Sequence, residues 1–191
     1  MSKNKSVLVI VCSLICIAFG VANAGDHPSG SEHPTAKKEH PAKEHPQASV
    51  EDQIAGLQKM CTESADARAE RQEAKPLFER MGGEEKTRAL FADVVARHRV
   101  NEDIKQYMDG VDDEKLVNHL VDFVSAGTGG GGEYKGRSMT DSHAHLKLTD
   151  ADFLAAGRDV VAGMKAAEYG EEEIQEFMCV FVSLKDQVVF K

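Results

Sequence analysis

AGTGGGGEYKGRSMTDSHAHLKLTDADF, residues 126 to 153, carries glycines at 127 and 129 to 132, then Gly136-Arg137-Ser138-Met139, then a histidine at 143. The glycines close whatever helix precedes them and open a loop. That loop can carry a short, loosely wound segment bearing His143. His145 points elsewhere on such a turn, whereas Leu146 lies on His143's own side. Taken alone, a histidine in a loop is a surface residue, so its meaning depends on what surrounds it. The stretch ends on Thr149 and Asp152, an acidic variant of the capping box that starts a helix.

Outward from this loop the apolar residues recur at helical spacing. Leu77, Phe78 and Met81 predict a short helical turn ended by Gly82-Gly83, and Leu90, Phe91, Val94, Val95 and His98 mark one face of the next helix. Leu116, Leu120, Phe123 and Val124 mark a third, closed by Gly127. Phe153, Leu154, Gly157, Val160, Val161 and Met164 mark a fourth, and Ile174 to Val188 a fifth, single helix. No alternating pattern competes, so the fold class is all-α.

The N-terminal third reads differently. Lys3 and Lys5 precede an apolar run from Val7 to Ala22, and Ala22-Asn23-Ala24 is an A-x-A site, so residues 1–24 form a cleavable secretory signal. The run is short for a bilayer span of about 20 residues, which argues against stable membrane insertion. Residues 25–49 repeat His-Pro four times among polar residues and form a disordered linker. Each proline holds its histidine extended and removes a backbone donor. A solvated tether is favoured there over a metal site. Residues 50–75 form a helical pre-segment, docked or free, with Pro76 at its end, and 76–191 is the domain proper.

Loss of Lys3 and Lys5 with the signal takes the formal charge from -9 to -11, which makes nucleic acid a poor partner. Export to an oxidising compartment, the bacterial periplasm, permits a disulfide between Cys61 and Cys179, but two unpaired thiols fit the sequence equally well. The chain carries no C-x-x-C-H motif.

The ordered set Leu77-Phe78-Glu79-Arg80-Met81-Gly82-Gly83, the glycine run, Gly136-Arg137-Ser138-Met139 and His143 resembles the group 1 truncated haemoglobins over residues 77 to 190. That resemblance implies a two-over-two α-helical sandwich around non-covalent haem b, with His143 as the proximal iron ligand. It also implies haem contacts from Val95, Tyr107, Met108, Leu116, Leu120, Phe123, Arg137, Met139 and Leu146, and a diatomic gas as ligand.

On the distal side the chain departs from the family's commonest pattern. Val95 stands where a haem-facing tyrosine is usual, Leu120 where glutamine is common, with Leu116 a turn earlier, and Met108 where phenylalanine wedges the haem. None of these donates a hydrogen bond to bound O2. His119 lies on or at the edge of the stripe formed by Leu116, Leu120 and Phe123, so it is a candidate sixth iron ligand or a histidine at the pocket rim. The leading reading is reversible binding of O2, NO or CO; the alternative is a b-type electron carrier with bis-histidine ligation and a redox partner protein. NO dioxygenation needs persistent bound O2 and a reductase, and peroxidase-like turnover needs a polar distal group. Val95 and Leu120 supply none, which leaves only His119, once detached, or Tyr107, so enzymatic activity is left unassigned.

Overall fold

The computed structural model describes residues 48–191; the signal segment and nearly all of the His-Pro linker lie outside the described residues. The described chain opens on α1 (Val50–Glu63) and α2 (Ala65–Ala74). Ser49 caps α1 by accepting from the Asp52 backbone N–H at 3.1 Å, and Glu51 and Asp52 complement the positive end of the helix dipole. The pre-segment is thus two helices, parted at Ser64. Pro76 forces Lys75 extended (φ -158°, ψ 115°), which stops α2.

Two helical pairs build the domain. After the single turn α3 (Leu77–Arg80), α4 (Gly83–Val100) packs on α5 (Asp113–Thr128), and a 3-10 turn, Lys105–Met108, lies between them in sequence. The short α6 (Met139–His143) follows the glycine loop, and α7 (Asp150–Ala166) packs on α8 (Glu171–Ser183). The predicted fifth helix breaks at Leu184 and restarts as α9 (Lys185–Val188). Among the described residues all regular structure is helical; one isolated bridge joins Leu148 to Val189.

The pairs cross where α4 meets α7. Gly163 makes the approach feasible, since a Cβ there would come within 3.0 Å of Val94 Cγ2 and 3.3 Å of Leu90 Cδ1. Leu90, Val94 and Met164 are almost wholly buried at this crossing. The predicted capping box of α7 forms: Thr149 Oγ1 accepts from the Asp152 N–H, and the Asp152 carboxylate accepts from the Thr149 N–H.

Three ties hold the N-terminal helices to this framework. Cys61 and Cys179 form a disulfide from α1 to α8, with Cα atoms 5.4 Å apart at a sequence separation of 118. Closing so long a loop stabilises the fold by on the order of 4–5 kcal/mol through the unfolded chain. From α2, Gln72 accepts from the Leu77 N–H at 2.9 Å and donates to the Thr128 carbonyl at 3.2 Å. Arg71 pairs with Glu176 at 3.1 Å. The other oxygen of that buried carboxylate is held by Arg80 at 2.7 Å, and Arg80 also reaches Glu173 at 3.0 Å. Burial works against the Arg80 charge, but Glu176 and Glu173 more than offset it and raise its pKa. Removing Glu176 would leave Arg71 unpaired and Arg80 with Glu173 alone, and so uncompensated charge in a mostly buried place.

Candidate haem site

The glycine loop is shaped by two contacts that the sequence motif conceals. Gly127, expected to close α5, lies inside it; the helix runs on to Thr128 and ends at Gly129 (φ +91°), because that glycine takes the left-handed conformation that a side chain resists. Gly130 donates to the Ser125 carbonyl at 2.8 Å, and a Cβ on it would collide with the Phe78 ring. The pair of glycines and the Leu-Phe turn of α3 are therefore one packing unit, although 50 residues separate them. Farther along, Tyr134 folds back over α5. Its ring meets Phe123 edge-on at 5.1 Å and His119 edge-on at 6.4 Å, and its hydroxyl donates to the Arg137 carbonyl at 3.1 Å. Sequence reasoning passed over Tyr134; its place among loop glycines gave no sign of what it would pack on.

Ser138 starts α6 by accepting from the Asp141 N–H at 3.0 Å, and four residues after Met139 the helix ends on His143. The His143 Nδ1 lies 2.8 Å from the Met139 carbonyl oxygen. A carbonyl only accepts, so Nδ1 carries the proton and Nε2 keeps a free lone pair. Burial pushes the His143 pKa below its ordinary value; the hydrogen bond to Met139 opposes this, and the charges of His145 and Arg137 add to it. The ring is thus a neutral imidazole with fixed tautomer, the form that binds a metal.

Beyond His143 the chain is braced from the C-terminus. The 3-10 turn Ala144–Leu146 leads through Lys147 (φ 52°) to Leu148, whose carbonyl accepts from the Phe190 N–H at 3.0 Å. Lys185 pairs with Asp150 at 2.8 Å, and α9 packs on α6.

α5 has more apolar surface than one helix neighbour needs. Val117, Val121, Val124 and Thr128 are buried at i, i+4, i+7 and i+11, which is its core face. Leu116, Leu120 and Phe123 form a second stripe, one residue out of phase, that is only half-buried. α5 packs on α4 and α3, and Tyr134 meets Phe123, yet the second stripe stays only half-buried. The second stripe is what a flat apolar cofactor requires, and with the His143 donor the residues present fit haem.

The remaining expected site residues fall in several environments. Val95 and Met108 are buried in the core. Tyr107 is half-buried, its hydroxyl donating to Asp152 at 3.2 Å. His119 and Arg137 are exposed, and Met139 and Leu146 are half-buried. A polar cluster not expected from the sequence joins α4 to α7: His98 Nδ1 lies 2.8 Å from Asp159, and Asn101 donates to the same oxygen at 2.9 Å.

Residues 76–190 match the family model described as bacterial-like globin. The chain belongs to the bacterial-like globin family. Two curated relatives are group 1 truncated haemoglobins, from Tetrahymena pyriformis (25% identical over 100 residues) and Tetrahymena thermophila (24% over 100 residues). Each alignment covers 52% of this chain and 83% of the relative. Among solved structures, the Fe(III) form of the T. pyriformis truncated haemoglobin is similar at TM-score 0.59 and 23% identity, covering 61% of this globin and 100% of that chain. The 2/2 haemoglobin of Synechococcus, solved in the cyanomet state with covalently attached haem, is similar at TM-score 0.54 and 23% identity, covering 59% and 94%. These likenesses establish the two-over-two helical fold of residues after Lys75. α1 and α2 precede the matched region.

Proposed function

We propose that this globin is exported, holds haem b non-covalently on His143 Nε2, and binds a diatomic gas reversibly. The observation that carries the reading is the His143 ring, neutral, tautomerically fixed by the Met139 carbonyl, with the donor nitrogen left free. Bound haem supplies an iron whose sixth position takes O2, NO or CO. The chain's part is to present one imidazole on a braced segment and an apolar stripe, Leu116, Leu120 and Phe123, that keeps water from the ring system. Val95, Leu116 and Leu120 offer no donor, and the Tyr107 hydroxyl is engaged by Asp152, so O2 gains little from these side chains. That favours NO or CO over tight O2 storage. The bacterial periplasm as destination rests on Lys3, Lys5, the apolar run and the Ala22-Asn23-Ala24 site, and the Cys61–Cys179 disulfide is at home in such a compartment.

Absorption spectroscopy of the protein titrated with haem tests the core of this reading. The expected result is a Soret band that forms at one equivalent, survives His145→Ala and is lost in His143→Ala. No Soret band in the wild type would overturn it, and so would retention in His143→Ala. Cleavage before Gly25 is checked by N-terminal sequencing of the exported protein.

The second reading, a bis-histidine electron carrier, is favoured by the place of His119 at the edge of the second α5 stripe. To reach iron its ring would have to exchange the Tyr134 edge for the metal. A low-spin ferric spectrum that turns five-coordinate in His119→Ala supports it; a wild-type spectrum unchanged by that substitution sinks it.

A further inference from the structure

Between α1 and the α7–α8 pair lies an open groove of about 570 Å³, a volume within the range of roughly 300–1,000 Å³ that small-molecule sites occupy. Its floor is Phe153, Gly157 and Val161 on α7 with Met178 and Phe181 on α8, and the two phenylalanine rings stack at 4.4 Å. Its outer wall is Gly56 and Leu57 of α1, the helix that the family match does not reach.

Two features of this groove point to a ligand. Gly56 sits in the interior of α1, where glycine is worse than alanine, and a Cβ placed on it would meet nothing within 4 Å. No packing partner demands the missing side chain, and the bare backbone leaves this wall of the groove uncovered. The second feature is charge. In a chain of formal charge -9, the charged side chains lining the groove are both cations, Arg158 and Lys165, seven residues apart on one face of α7. Lys165 is exposed, and Arg158 makes only a 3.3 Å ion pair with Asp103 in which both side chains are more than half exposed. Pairs of that kind contribute little and are readily exchanged for another carboxylate.

We propose that the groove binds a free long-chain fatty acid. The acyl chain lies over Phe153, Gly157, Val161 and Phe181, under the open face of α1 at Gly56, and the carboxylate is held at the mouth by Lys165 with Arg158. The site is separate from His143 and does not depend on the haem reading.

The test is equilibrium dialysis of radiolabelled palmitate against the mature, disulfide-bonded chain as purified, with the absorption spectrum followed throughout. One saturable equivalent is expected, with no change in any haem spectrum. Gly56→Leu fills the groove while improving the helix propensity of α1, so it should fold at least as stably as the wild type and bind palmitate about tenfold or more weakly. Lys165→Glu should weaken palmitate by a similar factor and leave hexadecanol, which has the same chain without the charge, nearly unaffected. The proposal is overturned by any of three results: no saturable binding, binding indifferent to Gly56→Leu, or palmitate uptake that displaces haem. An equal loss of hexadecanol in Lys165→Glu would refute the carboxylate contact.

Discussion

His143 and His119 are imidazoles one helix apart, and the structure holds them in different ways. His143 ends a helix whose own carbonyl fixes the ring, in a segment braced by Phe190 and by the Lys185–Asp150 pair. His119 is exposed in the middle of α5, and its ring meets the edge of Tyr134. A ring set by a backbone hydrogen bond is in place before any metal arrives, because the same helical turn creates both. A ring whose neighbour is another side chain can leave at small cost. The lesson is that the setting of His143 is built into local geometry, whereas that of His119 is adjustable.

Several measurements would break or sharpen that contrast. The largest effect is expected from Gly130→Leu, which drives a side chain into Phe78 and separates the glycine loop that leads to His143 from α3. It should destabilise the protein by about 1–3 kcal/mol or more in urea unfolding, and a neutral result would show that the loop is not packed as described. Tyr134→Ala removes both edge contacts on α5, and a loss of about 0.5–1.5 kcal/mol is expected by the same assay. If His119 competes for iron, this substitution also raises the low-spin fraction of the haem-loaded protein.

Acid provides a third lever, with a sign fixed by the His143 pKa. Because that pKa is lowered on folding, the unfolded chain takes up the proton first as pH falls. The stability that His143 contributes to the haem-free protein is therefore full above about pH 6.5, the unfolded value, and is lost as pH drops through the folded one. His143→Gln should flatten this part of the stability–pH curve; an unchanged slope would show that the ring is not shielded. The smallest effect is expected from His119→Ala, within about 0.5 kcal/mol in thermal or urea unfolding, as for an exposed residue with one aromatic contact. A larger loss would mean that His119 is as fixed as His143 and that the contrast fails.

What the sequence made legible follows the same line. The Gly-Arg-Ser-Met turn and the histidine four residues after Met139 were readable because their geometry is that of one helical turn and its cap. The all-α class and the Thr149–Asp152 box were readable for the same reason. The α5 stripe was only half readable. Leu116, Leu120, Phe123 and Val124 read as one face, but Val124 belongs with Val117 and Val121 on the core side, and the other three form a second stripe. Periodicity says which positions are apolar and not which neighbour each will meet. The break at Leu184 was missed because the apolar spacing continues across it into α9.

By itself, then, the sequence determined what is decided within a few residues: helix starts, the glycine loop that follows α5, and the one-turn spacing from Met139 to His143; which glycine ends α5, Gly129 rather than Gly127, and the break at Leu184 were not among them. Only the tertiary structure decided the partners that lie far apart in the chain. These are Gly130 against Phe78, Tyr134 over His119, Tyr107 on Asp152, the Cys61–Cys179 bridge and the groove beneath α1. The reason is physical: local hydrogen bonds and backbone sterics are fixed by neighbouring residue types. Long-range pairs depend on how whole helices pack, and many sequences with the same periodicity could pack differently.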